Sequence, residues 1–324
     1  MDWADDCFER IAHCLFCGSD HIEPDVEGAE DWFFGAVPGS FAFARCAPCG
    51  SLVLAKRPDA ANIARAYERY YTRSGRPGLA SGGGIAQRAR SALVRLAARI
   101  DGTSDGILAR SCDLVLKAFP TYREEARAMR RYLPRRPAYV LDYGCGDGRF
   151  IAQASALGHH ASGVDVDAQA VAEAQKAGLH AMSVEIVDEA AMAGRFDHIS
   201  LAHVLEHVPD PVALLSRLRG WLAPGGILYL EMPHAHGSGL ARFGRFWRGL
   251  EAPRHFAIPS ARGLAIALRT AGFEIAHSGH RALGQGALDD VSRRAAGHAN
   301  CDDEIREDAS MDQPDIVWVV ASPC

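Results

Sequence analysis

From residue 138 onward, short apolar segments alternate with segments of helical periodicity, and this alternation constrains the fold more than any other feature of the chain. Strands that alternate with helices form a mostly parallel sheet, because each helical crossover packs against one face of the sheet. Predicted strands lie in "AYVLDY", "ASGVDVD", "FDHISLAHV" and "GGILYLEMP". The sequence therefore predicts an α/β fold with a Rossmann-like sheet and helices on both faces.

A glycine-rich turn directly follows the first of these strands. Gly144, Gly146 and Gly148 have the spacing G-x-G-x-G, whereas a dinucleotide fold uses G-x-G-x-x-G to bring a helix N-terminus to a pyrophosphate. Asp142 lies in the same region, where it would repel a phosphate but suit a cationic amino group. Asp165 ends the second strand, a position from which an acid can accept hydrogen bonds from ribose hydroxyls. The pattern predicts a ligand that joins a nucleoside to an amino acid without phosphates.

Four sequence blocks extend this interpretation, and they occur in a fixed order between residue 138 and about residue 321. They are "VLDYGCGDGRF", "GVDVD", "FDHISLAHVLEHVPDP" and "LAPGGILYLEMP". In these blocks the chain resembles the class I S-adenosylmethionine-dependent methyltransferases. The run "WRGLEAPRHFAIPSARGLAIALRTAGF" is similar to a segment of the ubiquinone-methyltransferase-like branch, which modifies small molecules and sugars. The resemblance implies S-adenosylmethionine as cofactor and transfer of its methyl group.

The resemblance also implies which residues contact the cofactor. The adenine is expected between the ends of the second, third and fourth strands. There the carboxylate of Asp188 or Glu189 could accept a hydrogen bond from the adenine amino group, or could simply be surface charge on a loop. The expected cofactor contacts are Asp142, Gly144, Cys145, Gly146, Gly148, Asp165, Val166, Asp188, Glu189 and His203.

The stretch "LAHVLEHVPDP" contains H-x-x-E-H, a zinc-protease signature, in His203, Glu206 and His207. Such a site needs a third ligand and a helix through the motif, but Pro209 and Pro211 limit any helix here to one short turn. We therefore reject a metallopeptidase. Some relatives carry E-x-x-E-H at this place and bind a divalent ion, but His203 replaces the first glutamate here. We expect instead that His203 lines the methyl-transfer pocket and that Glu206 orients a neighbour.

Methyl transfer to an alcohol requires a positioned acceptor and a base that removes the hydroxyl proton. Histidine suits this task near neutral pH, and the candidates are His203, His207 and His255. His207 could equally cap the turn after the fourth strand. His255 lies in a proline-bounded insert expected to pack over the acceptor, and Arg254 beside it could bind a substrate carboxylate or phosphate. The predicted catalytic set is His207, His203, His255, Arg254 and Glu206.

Four of the nine cysteines form two matching pairs near the N-terminus. Cys14 and Cys17 lie in "CLFCGS", and Cys46 and Cys49 lie in "CAPCGS", each a C-x-x-C followed by glycine. Two such knuckles offer four thiolates, which is the tetrahedral donor set that zinc prefers. The chain between the knuckles is long enough for a β-hairpin. We predict a four-cysteine zinc ribbon whose ion is structural, because no coordination position remains open.

The chain divides into three predicted parts: a zinc-ribbon-like module (1–57), a helical linker or lid (58–135) and the methyltransferase domain (136–324). The middle part has apolar residues at helical spacing. It includes an amphipathic basic segment over 86–99, which is more typical of a solvated face than of a phosphate contact. Tyr70 and Tyr71 could close over the cofactor or belong to the core.

Composition bears on the possible partners. The formal net charge of -5 and the pI of about 6.3 disfavour a dedicated nucleic-acid-binding protein. The N-terminus lacks a signal-peptide pattern and no apolar run approaches a membrane span, so a cytoplasmic protein with a small-molecule acceptor is expected. The oligomeric state is not indicated. Two alternatives remain open: an RNA methyltransferase whose ribbon grips RNA, and a non-catalytic binding protein that retains the fold.

Overall fold

The computed structural model describes residues 3–69, 120–281, 285–299, 301, 304–306 and 313–324. Most of the predicted helical linker lies outside the described residues. This includes the basic segment 86–99 and both Tyr70 and Tyr71.

The described chain alternates between strands and helices as the sequence predicts. In chain order the strands are β1 (Phe8–Arg10), β2 (Ile22–Ala29), β3 (Phe41–Cys46), β4 (Leu52–Leu54), β5 (Lys56–Pro58), β6 (Tyr139–Tyr143), β7 (His160–Asp165), β8 (Ala181–Ser183), β9 (Phe196–Ala202), β10 (Leu222–Pro233), β11 (Ala257–Ile258), β12 (Phe273–Arg281) and β13 (Ile316–Pro323). The α-helices are α1 (Ile63–Ala66), α2 (Pro120–Met129), α3 (Arg149–Ala156), α4 (Ala168–Lys176), α5 (Glu189–Met192), α6 (Pro211–Trp221), α7 (Ser238–Phe243), α8 (Ala261–Thr270) and α9 (Gln285–His298).

A seven-stranded sheet organises the C-terminal part, in the spatial order β12-β13-β10-β9-β6-β7-β8. The strands from β10 to β8 pair in parallel, whereas β13 is antiparallel to both β10 and β12. The predicted Rossmann-like sheet is thereby confirmed. Because parallel strands end at the same edge, the segments that follow β6, β7 and β9 lie side by side. We call this edge the rim.

Local sequence signals set where the rim helices begin. Asp167, just after β7, accepts hydrogen bonds from the first backbone N–H groups of α4. Asp210 does the same for α6, and Pro211 occupies the first turn of that helix. An acidic cap satisfies N–H groups that have no partner within the helix, and proline is tolerated in the first turn because the N–H group that it lacks would have no partner within the helix. These signals fix the start of both helices close to the rim.

The N-terminal part forms a small antiparallel sheet around the cysteine knuckles. Strands β2 and β3 pair as the predicted hairpin, and β3 pairs with β4. The fourth strand of this sheet is β11, which comes from the C-terminal part and pairs with β4. In addition, β5 pairs with β1 and crosses the predicted boundary at residue 57.

One apolar cluster extends through both parts of the chain. It contains Phe43 and Leu54 of the N-terminal sheet together with Trp221 and Leu230 of the C-terminal part, all essentially inaccessible to solvent. The N-terminal module is therefore packed against the larger sheet rather than attached by a linker alone. Within the described residues, no helix combines the length and apolar character needed to cross a membrane.

Candidate active site

The glycine turn after β6 lies directly against the segment that follows β9. Gly144 has φ +79°, a left-handed conformation that favours glycine, and a methyl group at its Cα would overlap Cγ2 of Val204. Gly146 and Gly148 also have positive φ, and α3 begins immediately after Gly148. The turn therefore approaches the segment from His203 to His207 more closely than any side chain would allow.

Asp165 ends β7 and stabilises the glycine turn. Its Oδ2 accepts a hydrogen bond from the backbone N–H of Gly146 at 2.7 Å, and its Oδ1 accepts one from Asp167 at 2.8 Å. Burial raises the pKa of this carboxyl group. The next residue, Val166, is 76% exposed. Asp165 therefore lies at the rim with an uncovered apolar side chain beside it, and its contact with ribose hydroxyls stays a prediction.

A second exposed apolar residue, Ile186, lies close by and is absent from the predicted set. Asp165 is paired with Ser183 at the ends of the parallel strands β7 and β8. Ile186 follows in a 3₁₀-helical turn and is 74% exposed. Together with Val166, it offers the rim an apolar surface of the kind a planar base could cover. The sequence signal was an apolar residue in an otherwise acidic loop, "EIVDEAA".

Asp142 does not have the free carboxylate that the sequence interpretation assumed. It is buried in β6, and Nη1 of Arg131 donates to its Oδ1 at 2.6 Å and to the hydroxyl of Ser200 at 3.0 Å. Burial raises the pKa of Asp142 to about 6 against the opposing effect of Arg131. The predicted contact to a cationic amino group is corrected, because Arg131 already occupies that position.

The two acids proposed for the adenine amino group have local partners. Asp188 caps α5 by accepting hydrogen bonds from Ala190 and Ala191. Glu189 accepts from Arg217 Nε at 2.6 Å and from the indole N–H of Trp221 at 2.8 Å. These contacts favour their alternative role as surface and capping groups, and the contact with the adenine amino group stays a prediction.

His203 lies at the rim as predicted, but its charge excludes the role of base. Its side chain is 47% exposed and lies 3.4 Å from Glu206 and 3.7 Å from Glu231. Burial opposes protonation, but the two carboxylates outweigh it and raise the pKa to about 9. Because the side chain is partly exposed, burial lowers this pKa less than it would for a fully buried imidazole. Because an imidazolium cannot accept a proton, the assignment of His203 as base at neutral pH is corrected.

His203 also has φ +58°, a left-handed conformation that is uncommon for residues other than glycine and that the surrounding structure has to stabilise. That support comes from β10, because the backbone N–H of His203 donates to the carbonyl of Glu231 at 2.7 Å. Glu231 is buried, and although burial opposes its ionisation, Arg281 and His203 lower its pKa to about 2. Neither Glu231 nor Arg281 is among the site residues predicted from the sequence, although an acid near the end of an apolar strand is a recognisable signal of a functional site.

Glu206, His207 and His255 form a compact cluster beneath the rim. As predicted, the motif contains only one short turn, the 3₁₀ helix Leu205–His207. The rings of His207 and His255 meet edge to face with centroids 4.5 Å apart. Glu206 is fully buried, and both of its carboxylate oxygens have no hydrogen-bond partner. Because such a carboxylate is costly to bury, the surrounding imidazole groups have to stabilise it.

This cluster also has the composition of a possible cation site. Within the described part of the chain, the ligand atoms of Glu206, His207 and His255 all lie within 4.8 Å of one another. The set differs from the H-x-x-E-H motif, because His255 takes part and His203 does not. His255 is buried and its pKa is lowered to about 4 by that burial. His255 contacts His207 within the cluster, and the expectation that its insert packs over the acceptor stays a prediction.

His207, the third predicted base, is held through one of its ring nitrogens. It is partly buried, and its Nδ1 lies 3.0 Å from the carbonyl oxygen of Arg254 and 2.9 Å from the hydroxyl of Tyr67. Tyr67 follows α1 in the predicted linker or lid, and no sequence pattern connected it with a histidine 140 positions away.

Arg254 does not face the acceptor. Its side chain is fully buried, and both terminal nitrogens of its guanidinium group bind the carboxylate of Asp31, with one contact at 3.0 Å. The predicted contact with a substrate carboxylate or phosphate is therefore corrected, because Asp31 fills that role from within the chain.

The four cysteines converge as the zinc-ribbon prediction requires. Sγ of Cys14 lies 3.6 Å from Sγ of Cys49, and Sγ of Cys17 lies 3.4 Å from Sγ of Cys46. All four sulfur atoms lie within 4.8 Å of one another. Tetrahedral coordination with Zn–S bonds of about 2.3 Å separates sulfurs by roughly 3.8 Å. The glycine after each knuckle has positive φ, which allows the chain to turn back at Gly18 and Gly50. The residues present fit a zinc ion.

The sheet order, the glycine turn after β6 and the acid at the end of β7 define a class I S-adenosylmethionine-dependent methyltransferase fold. A family model described as a methyltransferase domain matches residues 112–278, which is just over half of the sequence. The chain therefore belongs to this methyltransferase family.

Individual relatives match over shorter stretches. Over 99 residues, the chain is 35% identical to a ubiquinone biosynthesis O-methyltransferase of Paraburkholderia xenovorans (strain LB400), covering 28% of this chain and 43% of that protein. Over 114 residues, it is 36% identical to a trans-aconitate 2-methyltransferase of Deinococcus radiodurans, covering 34% and 44%. The chain thus matches less than half the length of these curated relatives.

The solved structures to which the chain is similar are more distant in sequence. An S-adenosylmethionine-dependent methyltransferase from Mesorhizobium loti has a TM-score of 0.44 and 20% identity, covering 61% of this chain and 96% of that chain. A 1,6-didemethyltoxoflavin-N1-methyltransferase from Burkholderia thailandensis has a TM-score of 0.42 and 20% identity, covering 75% and 93%.

Proposed function

We propose that this chain transfers the methyl group of S-adenosylmethionine to a hydroxyl group of a small molecule, with His207 as the base. We also propose the division into a cysteine module (1–57), a linker or lid (58–135) and a catalytic domain (136–324). The observation that carries the proposed function is the close approach of the glycine turn to the β9 rim. Gly144 contacts Val204, three residues before His207.

The rim offers complementary groups for each part of the cofactor. Asp165 presents a carboxylate for ribose hydroxyls, and Val166 and Ile186 offer exposed apolar contact for the base. The absence of the G-x-G-x-x-G spacing at Gly144–Gly148 argues against a dinucleotide. When bound, the cofactor supplies a methyl group on a positively charged sulfur.

The chemistry asked of the chain's own residues is modest. The acceptor oxygen forms a bond to the methyl carbon while the carbon–sulfur bond breaks, and the electron pair of that bond stays on sulfur. The hydroxyl proton passes to His207. A positioned base of this kind contributes typically 10²- to 10⁴-fold to a rate.

An oxygen acceptor is supported by one relative over the matched stretch, a ubiquinone biosynthesis O-methyltransferase. A small-molecule acceptor fits the names of both matched relatives, the ubiquinone biosynthesis O-methyltransferase and the trans-aconitate 2-methyltransferase. The sugar, polyketide-like and lipid-linked classes remain the acceptors to test.

Zinc would be held by Cys14, Cys17, Cys46 and Cys49, and it would supply folding free energy rather than chemistry. The N-terminal sheet that carries these cysteines takes its fourth strand from the catalytic part. This arrangement favours a supporting role for the module over an independent grip on RNA.

The test is a methyl-transfer assay with a panel of hydroxyl compounds that includes a catechol, an aldose and a hydroxylated polyketide. Formation of S-adenosylhomocysteine is followed, and each product is characterised by NMR. We expect O-methylation, and we expect His207→Asn to lower kcat about 100-fold or more while leaving cofactor affinity unchanged. The matched control is His236→Asn, which changes an exposed histidine outside the cluster.

Two results would contradict the proposal. One is a product methylated on nitrogen or carbon, and the other is full activity of His207→Asn. Methylation of RNA fragments added to the same panel, weakening as salt increases, would instead favour an RNA acceptor.

A further inference from the structure

The protonation of His207 is fixed by a backbone carbonyl group. The carbonyl oxygen of Arg254 lies 3.0 Å from Nδ1 of His207, and a carbonyl can only accept a hydrogen bond. Nδ1 therefore carries the proton in the neutral ring, and the lone pair resides on Nε2. The hydroxyl of Tyr67, 2.9 Å from the same nitrogen, is placed to accept from that N–H as well.

We propose that the buried ion pair between Asp31 and Arg254 positions the Arg254 carbonyl and thereby selects the Nε2 lone pair of His207 as the proton acceptor. Asp31 and Arg254 are then positioning residues, and the N-terminal module acts on the reaction through them. This inference rests on the proposed role of His207 as the base.

The Arg254 side chain is held from several directions. Its Nη1 donates to Asp31 Oδ2 at 3.0 Å and to the backbone carbonyl of Ala66 at 2.9 Å, and its Nη2 binds the other carboxylate oxygen of Asp31. Its guanidinium carbon lies 4.3 Å from the ring centroid of Phe34. A two-point contact between guanidinium and carboxylate fixes orientation as well as distance. The position of residue 254, and with it the direction of its carbonyl, is therefore tied to the N-terminal module.

Asp31 is itself fixed by the loop between β2 and β3. Its Oδ2 accepts from the backbone N–H of Ala36 at 2.8 Å and of Val37 at 3.2 Å, and its Oδ1 accepts from Phe34 at 3.3 Å. The carboxylate is almost fully buried. The anchor is thus part of the folded hairpin whose second strand ends at Cys46.

The backbone next to Arg254 connects the same two regions. The N–H of Leu54 in the N-terminal sheet donates to the carbonyl of Phe256 at 2.9 Å, and the N–H of Phe256 donates to the carbonyl of Glu206 at 2.8 Å. One residue of the insert therefore bridges the cysteine module and the turn that carries His207. The Asp31–Arg254 ion pair and the backbone hydrogen bonds of Phe256 therefore restrain the segment 254–256 at both of its ends.

The test uses the full-length protein labelled with ¹⁵N-histidine and saturated with S-adenosylhomocysteine, with spectra recorded over a range of pH. Long-range ¹⁵N–¹H spectra distinguish the two tautomers, and loss of a signal set in His207→Asn assigns the resonances. For the wild type we expect the Nδ1–H tautomer. For Asp31→Asn we expect the Nε2–H tautomer to appear, and for Asp31→Glu we expect the wild-type pattern to be largely retained.

Asp289→Asn is the matched control, because it breaks another largely buried aspartate–arginine pair, with Arg242, that joins α7 and α9. It should leave the His207 tautomer unchanged. An Nε2–H tautomer in the wild type would overturn the proposal, even if Asp31→Asn failed to fold. So would an unchanged Nδ1–H tautomer in folded Asp31→Asn, or a shift of the same size in Asp289→Asn. If the tautomer responds but His207→Asn retains full activity, the base assignment fails and the structural coupling stands.

Discussion

Substitution of Asp165 by asparagine tests the cofactor site without removing the side chain. In the structure, each carboxylate oxygen accepts one backbone hydrogen bond, from Gly146 and from Asp167, at 2.7 and 2.8 Å. An amide can accept through only one of its two terminal atoms, so its NH₂ group would face a backbone N–H at the other position. The substitution therefore weakens the support of the glycine turn and removes the charge offered to the ribose.

The magnitude follows from the strength of hydrogen bonds to a charged group, about 1.5–3 kcal/mol each. Loss of one such bond corresponds to roughly a 10- to 100-fold increase in the Kd for S-adenosylhomocysteine, since about 1.4 kcal/mol is a factor of ten. Isothermal titration calorimetry measures this directly. The control is Asp197→Asn, because Asp197 accepts a backbone hydrogen bond from Tyr139 at the start of β6, at the edge opposite the rim.

We expect Asp197→Asn to bind S-adenosylhomocysteine with the wild-type affinity. A Kd for Asp165→Asn within threefold of the wild-type value, in a protein whose melting temperature is unchanged, would refute the proposed role of Asp165. An equal loss of affinity in both variants would show that general destabilisation, rather than the position of Asp165, caused the change.

Three further predictions concern stability and metal content. Gly144→Ala should lower the free energy of unfolding by about 1–3 kcal/mol or more, because the left-handed φ and the contact with Val204 both oppose a methyl group; an unchanged denaturant midpoint would contradict this. His198 is fully buried, and burial lowers its pKa to about 4, below the value near 6.5 in the unfolded chain. The contribution of the neutral imidazole to stability is therefore fully present above pH 6.5 and falls as the pH decreases toward 4. By pH 5 the loss is about 2 kcal/mol, and the difference in unfolding free energy between the wild type and His198→Asn should change by that amount between pH 7 and 5; a constant difference would show that His198 titrates normally. Cys46→Ser should abolish binding of one zinc ion per chain, measured by elemental analysis, whereas Cys324→Ser, at an exposed position, should retain it; zinc loss in neither variant would exclude the four-cysteine site.

The elements of the fold were predictable because their signals are local. Apolar strands, the caps at Asp167 and Asp210, and the positive-φ glycines of the turn are all encoded within a few residues of one another. The two C-x-x-C-G repeats were predictable for the same reason, since the donor set and the turn are written into each repeat. Such signals need no knowledge of how distant segments meet.

The partners of individual side chains were not predictable, because they come from distant parts of the chain. Nothing near Arg254 in the sequence indicates that Asp31 would neutralise it, and nothing near Asp142 indicates that Arg131 would reach it. The charge on His203 likewise depends on Glu231, which arrives from another strand. In each case the residue type fitted the proposed chemistry, but a contact made only in three dimensions changed the role it can perform.

The account depends most directly on where S-adenosylhomocysteine binds, and a crystal structure of the complex tests this in one measurement. We predict the ribose hydroxyls within hydrogen-bonding distance of Asp165, the adenine against Val166 and Ile186, and the sulfur on the side of the glycine turn that faces His207. A rim that remains empty at saturating ligand, or a ligand bound elsewhere on the chain, would contradict the account.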